Sequence, residues 1–271
     1  MSTTNLGILG VGKIGEAILI GLTKSKLKAD YKIFGTCRSE ESAKEVSGLF
    51  GIPCGTDNRE VAQKCKMLFL AVKPYQAKKV LENLAGLLTP DHIIVSLCAA
   101  VNLENLKTWS GGKCKIVRAM PNTPALVGEG MTVLCPEPTL DPKLLKPIEE
   151  IFSTIGRTAY LEEHLMDGAT GLSGCGPAYM FLVIEALSEA GVKVGIPRKL
   201  STLLAAQTML GAAKMVLERS QDHPAAMKDE VTTPAGCTID GLMALEEGKL
   251  RVALIRAVLA ATKRSKNLKI E

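Results

Sequence analysis

The chain has 271 residues, 46% hydrophobic and 4% aromatic, and its 33 basic against 28 acidic side chains leave a formal net charge of +5. That is apolar material for one large core or two moderate ones, and at about 150 residues per domain the length favours two. The basic excess is spread along the chain, which excludes nucleic acid as a partner; the one basic run, Lys263, Arg264, Lys266 and Lys269, reads as a solvated helix end. Eight cysteines without a CxxC pair or close Cys/His spacing exclude a zinc site and read as free thiols in a reducing compartment. With no leader-like start and no long uninterrupted apolar run, the expectation is a soluble cytoplasmic protein with no membrane partner and no metal.

In chain order, residues 5–9 form a short apolar run that leads into Gly10-Val11-Gly12-Lys13-Ile14-Gly15 and then into apolar positions at helical spacing, Ile14, Ala17, Ile18, Gly21 and Leu22. This is strand, GxGxxG, helix. The glycines permit a tight turn, close approach of a pyrophosphate and close helix-to-strand packing, and the helix start favours negative charge. A second strand is expected at 31–35, where an NAD site would be followed by an acidic residue for the ribose 2′-hydroxyl. The chain has Thr36, Cys37, Arg38 and Ser39 there. A guanidinium beside a hydroxyl suits a 2′-phosphate, so NADP is favoured over NAD.

The alternation continues with a helix over 41–50, a short strand at 52–54, a helix after Asn58, then strand 67–72, helix 77–88, strand 92–97, helix 103–109 and strand 115–119. Strands at 131–135 and 158–161 flank a helix over 143–155. Apolar strands separated by amphipathic helices imply a mostly parallel sheet covered on both faces, with ligands beyond the strand C-termini. The loops at Lys73-Pro74, 96–100 and Met120-Pro121-Asn122-Thr123-Pro124 leave that edge. The last is placed to line a nicotinamide pocket.

After Leu161 the pattern becomes helical: a small, glycine-rich stretch at 167–176, then helices over 178–192, 200–218 and 238–265 with a break at Gly248. Leu203, Leu204, Leu210 and Met215 give the second helix a wide apolar face, and Ala205, Ala206 and Gly211 add a close-packing surface. That combination suits a bundle core and a subunit interface together. Between two apolar helices lies the polar stretch 229–241, DEVTTPAGCTIDG. Its threonines and its Pro234-Ala235-Gly236 turn suit a small carboxylate, although a plain helix-to-helix connection has a similar composition.

These residues resemble the pyrroline-5-carboxylate reductases over almost the full length, through GVGKIG, AVKP (Ala71, Val72, Lys73, Pro74), RAMPNTPALVGEG, GLSGCGPAY, AAQTMLGAAKM and DEVTTPAGCTIDGL. Cys175 stands where that family usually has serine. The resemblance implies a Rossmann-type doubly wound α/β fold, residues 1–163, followed by an all-α substrate-binding and dimerisation domain, residues 164–271. It implies a homodimer, with dimers assembled further, up to a decamer. It also implies hydride transfer from NADPH, with NADH as an alternative, to the cyclic imine of pyrroline-5-carboxylate, giving L-proline. By motif, Gly10, Gly12, Lys13, Ile14 and Gly15 would hold the pyrophosphate and Arg38 and Ser39 the adenosine phosphate. Asn58, Ala71, Val72, Lys73, Pro74 and Asn122 would hold the rest of the cofactor. Thr233, Gly236 and Thr238 would hold the substrate, with Thr238 the catalytic hydrogen-bond partner of the imine nitrogen.

Rival chemistries lack their residues. A β-hydroxyacid dehydrogenase would match at Gly171, Gly174 and Gly176, yet its lysine and asparagine positions are Met180 and Ile184. A lactate-type enzyme needs a partnered histidine, and His92, His164 and His223 have no convincing Asp or Arg partner in sequence. A non-catalytic dinucleotide sensor would keep the first domain but has no need of the threonine-rich stretch.

Overall fold

A computed structural model describes residues 3–268; Lys269 of the basic run lies outside them. Its first unit runs to Cys175 and resumes at Ala260, and the second is Gly176–Leu259. The boundary expected at 163/164 from the change of pattern falls twelve residues before this division (175 minus 163).

The first unit is built on one eight-stranded sheet. In chain order its elements are β1 (Thr4–Leu9), α1 (Lys13–Lys24), β2 (Tyr31–Thr36), α2 (Glu40–Phe50), β3 (Cys54–Gly55), α3 (Asn58–Lys64), β4 (Met67–Leu70), α4 (Pro74–Leu84), β5 (Ile93–Ser96), α5 (Leu103–Trp109), β6 (Lys115–Met120), β7 (Gly130–Pro136), α6 (Pro142–Ser153) and β8 (Gly156–Tyr160). The spatial order is β3-β2-β1-β4-β5-β6-β7-β8, parallel throughout except between β6 and β7. That is the doubly wound arrangement, extended by an antiparallel turn-back. Strand periodicity sends alternate residues to opposite faces. Leu6, Ile8, Phe69, Val95 and Val117 pack on one face with Ile18 and Leu22 of α1 and Phe152 of α6, while Leu68, Leu70, Ile94 and Ile116 pack on the other with Leu81 of α4 and Leu106 of α5. Phe69 and Phe152 stack at 5.5 Å between ring centroids.

The unit continues through α7 (Met166–Ala169) and one π-helical turn, Thr170–Gly174. This is the stretch that reads in sequence only as small and glycine-rich. A widened turn is held there by tertiary contacts: the Cys175 N–H donates to the Thr170 carbonyl at 2.8 Å, and the amide of Asn122 donates to the Ser173 carbonyl at 3.2 Å.

The second unit holds α8 (Gly176–Lys193), α9 (Arg198–Glu218), α10 (Pro224–Glu230), α11 (Cys237–Glu247) and the start of α12 (Leu250–Lys266). α8 and α9 are an antiparallel pair tied by Ser201, whose hydroxyl donates to the Ser188 carbonyl at 2.7 Å, and by a 2.6 Å contact between the Ser188 and Thr202 hydroxyls. Gly191 lets Ser201 come in close. Apolar residues are spread around the whole circumference of α9, yet within this helix only Ser201 and Ala205 are buried. Phe181, Leu182, Leu203 and Ile255 are each more than half exposed. Two helical stretches, Glu163–Lys193 and Arg198–Glu218, are long and apolar enough to cross a membrane by length and composition alone.

Candidate functional site

The glycine turn is assembled from β1, β2, α3 and β4. Gly10 has φ of +84°, and a Cβ there would lie 2.6 Å from the Val72 side chain, so the turn at the end of β1 can close on β4 only with glycine. The Ala71 N–H donates to the Leu9 carbonyl at 2.8 Å and the Val11 N–H to the Thr36 carbonyl at 2.7 Å, which places the ends of three neighbouring strands side by side. A Cβ on Gly12 would meet nothing within 4 Å, and Gly15 packs on Ile8 and Val11. One glycine therefore makes the turn, one leaves the approach open and one seats the helix.

The electrostatics suit an anion. α1 begins at Lys13 with Gly12 as its N-cap and no side-chain cap, so the N–H groups of its first turn, which includes Ile14, are left for an external acceptor. Arg38 and Lys13 are exposed, and Arg38 has no ion-pair partner among the described residues. The neighbouring Ser39 is engaged as N-cap of α2, where its hydroxyl oxygen accepts the Ser42 N–H at 3.3 Å. No carboxylate faces the glycine turn from the end of β2. The residue there is Thr36, which bonds the Gly10 N–H at 2.9 Å and the Asn58 side chain at 2.6 Å. Lys73 and Pro74 start α4, with Pro74 in its first turn, where a missing N–H costs nothing.

The expected cofactor residues Gly10, Asn58, Ala71 and Val72 are thus brought together, with Gly12, Gly15, Arg38, Lys73 and Pro74 on the same strand-end edge. Asn122 is different. Its amide donates to the Ser173 carbonyl and, at 3.4 Å, to the Ser173 hydroxyl, and its oxygen accepts the Met131 N–H at 2.9 Å. Both polar atoms of that side chain are bonded within the protein, which fixes the carboxamide, and its oxygen keeps a second lone pair for a ligand. Two further residues, Thr36 and Ser173, hold the expected ones in place. Thr36 was legible as the non-acidic end of β2; nothing local marks Ser173.

Thr233, Gly236 and Thr238 lie in the second unit, around the start of α11. The Gly236 N–H donates to the Thr233 carbonyl at 3.0 Å, and Ala235 turns the chain with φ of +59°. A side chain on Gly236 would run into the Thr233 hydroxyl. Gly236 caps α11 without a side-chain bond, which leaves the N–H groups of Cys237, Thr238 and Ile239 for an acceptor. Both threonine side chains are exposed and without a hydrogen-bond partner among the described residues. Arg219, at the end of α9, holds Glu230 through two bonds of 2.6 and 2.7 Å, which anchors the segment leading into the turn.

All eight cysteines are free thiols. Burial pushes Cys98 up to about 11, so it is a protonated core residue rather than a nucleophile. Among the described residues no group of three or more His, Cys, Asp or Glu side chains could hold a metal ion.

Comparison with known proteins gives two family-model matches. Residues 163–268 match pyrroline-5-carboxylate reductase dimerisation, and residues 5–100 match a model described as NADP oxidoreductase coenzyme F420-dependent. A pyrroline-5-carboxylate reductase of Methanosarcina acetivorans is 40% identical over 99% of each chain. Among solved structures, a pyrroline-5-carboxylate reductase from Coxiella burnetii superposes with a TM-score of 0.88 at 35% identity, covering 98% of each chain. The Plasmodium falciparum pyrroline carboxylate reductase with NADP bound gives 0.87 at 34%, again over 98% of each.

Proposed function

The chain belongs to the pyrroline-5-carboxylate reductase family, and from that premise we infer that it is an oxidoreductase that reduces 1-pyrroline-5-carboxylate to L-proline, the last step of proline biosynthesis. The observation that carries the cofactor side is the uncapped start of α1 behind Gly12, with the unpaired Arg38 guanidinium at the end of β2.

When bound, NADPH supplies the hydride taken up at C5 of the cyclic imine. The chain's part is to bind and orient. Gly10 sets the turn, and the backbone of Gly12 with the first N–H groups of α1, at Lys13, Ile14 and Gly15, would receive the pyrophosphate. Arg38 and Ser39 would receive the adenosine 2′-phosphate, since a guanidinium offers it paired donors where an acidic residue would repel it. Asn58, Ala71, Val72, Lys73, Pro74 and Asn122 would line the remainder. Around α11, Thr233, Gly236 and the free N–H groups of the first turn receive the substrate carboxylate. Thr238 hydrogen-bonds the imine nitrogen. A threonine hydroxyl is a weak acid, but Thr238 is open to solvent and can relay a proton from water. A protonated imine accepts hydride readily, so fixed geometry carries much of the acceleration.

The same reading covers the apolar faces of the second unit with a second copy of the chain. The match to a dimerisation family over 163–268 supports this, and it accounts for two apolar helices without a membrane. The enzyme works as a cytoplasmic homodimer, with dimers assembled into a decamer; eight free thiols fit a reducing compartment.

The test is nicotinamide absorbance with purified protein, pyrroline-5-carboxylate and either NADPH or NADH. Oxidation that yields proline, faster with NADPH at low cofactor, is the expected result. Arg38→Ala should raise the KM for NADPH about tenfold or more and leave that for NADH unchanged. Binding of NADPH without turnover would overturn the reductase, and a native preference for NADH would overturn the role of Arg38.

A further inference from the structure

We propose that Thr36 is the positioning residue of the dinucleotide cradle, setting the glycine turn and the Asn58 amide through one hydrogen-bond relay. The proposal rests on the reading above in taking a nicotinamide dinucleotide as the ligand. Thr36 is the last residue of β2 and only 2% exposed. Three bonds converge on it. Its carbonyl accepts the Val11 N–H at 2.7 Å, its hydroxyl oxygen accepts the Gly10 N–H at 2.9 Å, and the hydroxyl donates to Oδ1 of Asn58 at 2.6 Å.

The direction of the relay follows from proton counting. The Gly10 N–H can only donate, so it takes a lone pair of the Thr36 oxygen, and the single hydroxyl proton is left for Asn58. The Asn58 carboxamide must then turn its oxygen toward Thr36. Its NH2 becomes the free end, a donor suited to phosphate or ribose oxygens. The α3 N-cap does not compete, because Asp57 uses its own carboxylate on the Arg59 N–H at 2.8 Å. One buried hydroxyl thus fixes the first glycine of the turn and decides which face of Asn58 meets the ligand.

This role differs from that of Arg38. A guanidinium aimed at the 2′-phosphate separates NADPH from NADH. The Thr36 relay acts on the part of the dinucleotide that the two share, so its loss should weaken both alike. Valine has threonine's shape without the hydroxyl, and Thr36→Val leaves both the Gly10 N–H and the Asn58 oxygen without their partner.

The experiment is a nicotinamide-fluorescence titration of the full-length protein with NADPH and with NADH, beside the melting temperature and the KM for pyrroline-5-carboxylate at saturating cofactor. Thr36→Val should raise both dissociation constants by about tenfold and by the same factor. Thr36→Ser, which restores the relay, should stay within about twofold of wild type on the same reasoning. The KM for pyrroline-5-carboxylate should not move with Thr36→Val. Asn58→Asp keeps an acceptor for Thr36 but replaces the outward donor with an acceptor, and should weaken both cofactors at least as much. The proposal is overturned if Thr36→Val lowers the melting temperature while the cofactor constants stay put, if Thr36→Ser is as weak as Thr36→Val, or if the loss is confined to NADPH. Because binding is read without substrate, failure of the reductase reading would appear as absent turnover in wild type and leave this result interpretable.

Discussion

The two units handle the same apolar composition in opposite ways. The sheet of the first buries Phe69, Phe152, Leu6 and Ile8 completely between its own helices, so its core closes within one chain. The second leaves Phe181, Leu182, Leu203 and Ile255 in solvent, and α9 has apolar residues on every side. A helix that is apolar all round is stable in water only when other helices surround it. The nucleotide half therefore closes its own core, and the helical half leaves apolar faces that the proposed second copy of the chain would cover.

The largest effect should come from breaking that completion. Leu203 is 61% exposed in the single chain, and Leu203→Glu would place a charge in the contact proposed between copies. Sedimentation should show a smaller species, and turnover should fall by more than about a hundredfold, in keeping with several kcal/mol for an unpaired buried charge. NADPH affinity should stay close to wild type. Loss of cofactor binding together with assembly would mean that the first unit is not self-sufficient.

A core truncation should behave differently. Phe152→Ala removes the ring stacked on Phe69 and should destabilise the first unit by about 3–5 kcal/mol, read by denaturant melts. That loss should be the same at every protein concentration, whereas the Leu203→Glu defect should ease as concentration rises.

The smallest expected effect is on pH dependence. His92 is 2% exposed, its ring meets the Ala62 carbonyl at 3.2 Å, and burial holds its pKa below the usual histidine value. The unfolded chain then binds the proton more readily than the folded one. Stability contributed by His92 is present above the unfolded pKa and is lost as pH falls below about 6.5 toward the depressed folded value. Melting temperature should drop between pH 7 and 5, with a contribution of at most about 1.4 kcal/mol per pH unit from this one proton, and His92→Gln should flatten the slope.

How much of this was legible in the sequence follows the same division. Alternating apolar strands and amphipathic helices gave the order of elements in the first unit, with α5 at the residues expected, because a doubly wound sheet writes its period directly into the chain. Strand ends moved: β3 shrank to Cys54–Gly55, since strand length is set by where a neighbour is available to pair. Helix α10 escaped notice between α9 and the threonine turn; Pro224 at its start was the only local cue, and His223, an unusual cap, concealed it. The π-helical turn at Thr170–Gly174 has no local signal, because its holder, Asn122, lies 51 residues before Ser173 in sequence. For the same reason the sequence places Asn122 in a turn facing ligand without showing that its amide also bonds Ser173 and Met131. The exposure of α9 was half legible: its apolar width was plain, its partner was not.

The most direct test of the division of labour is to measure NADPH affinity and turnover side by side in Thr238→Ala. Thr238 belongs to the helical unit, so the account predicts an unchanged dissociation constant for NADPH and a fall in kcat of about a hundredfold or more. Unchanged kcat would remove Thr238 from the mechanism, and a matching loss of cofactor affinity would contradict the separation of cofactor and substrate roles between the two units.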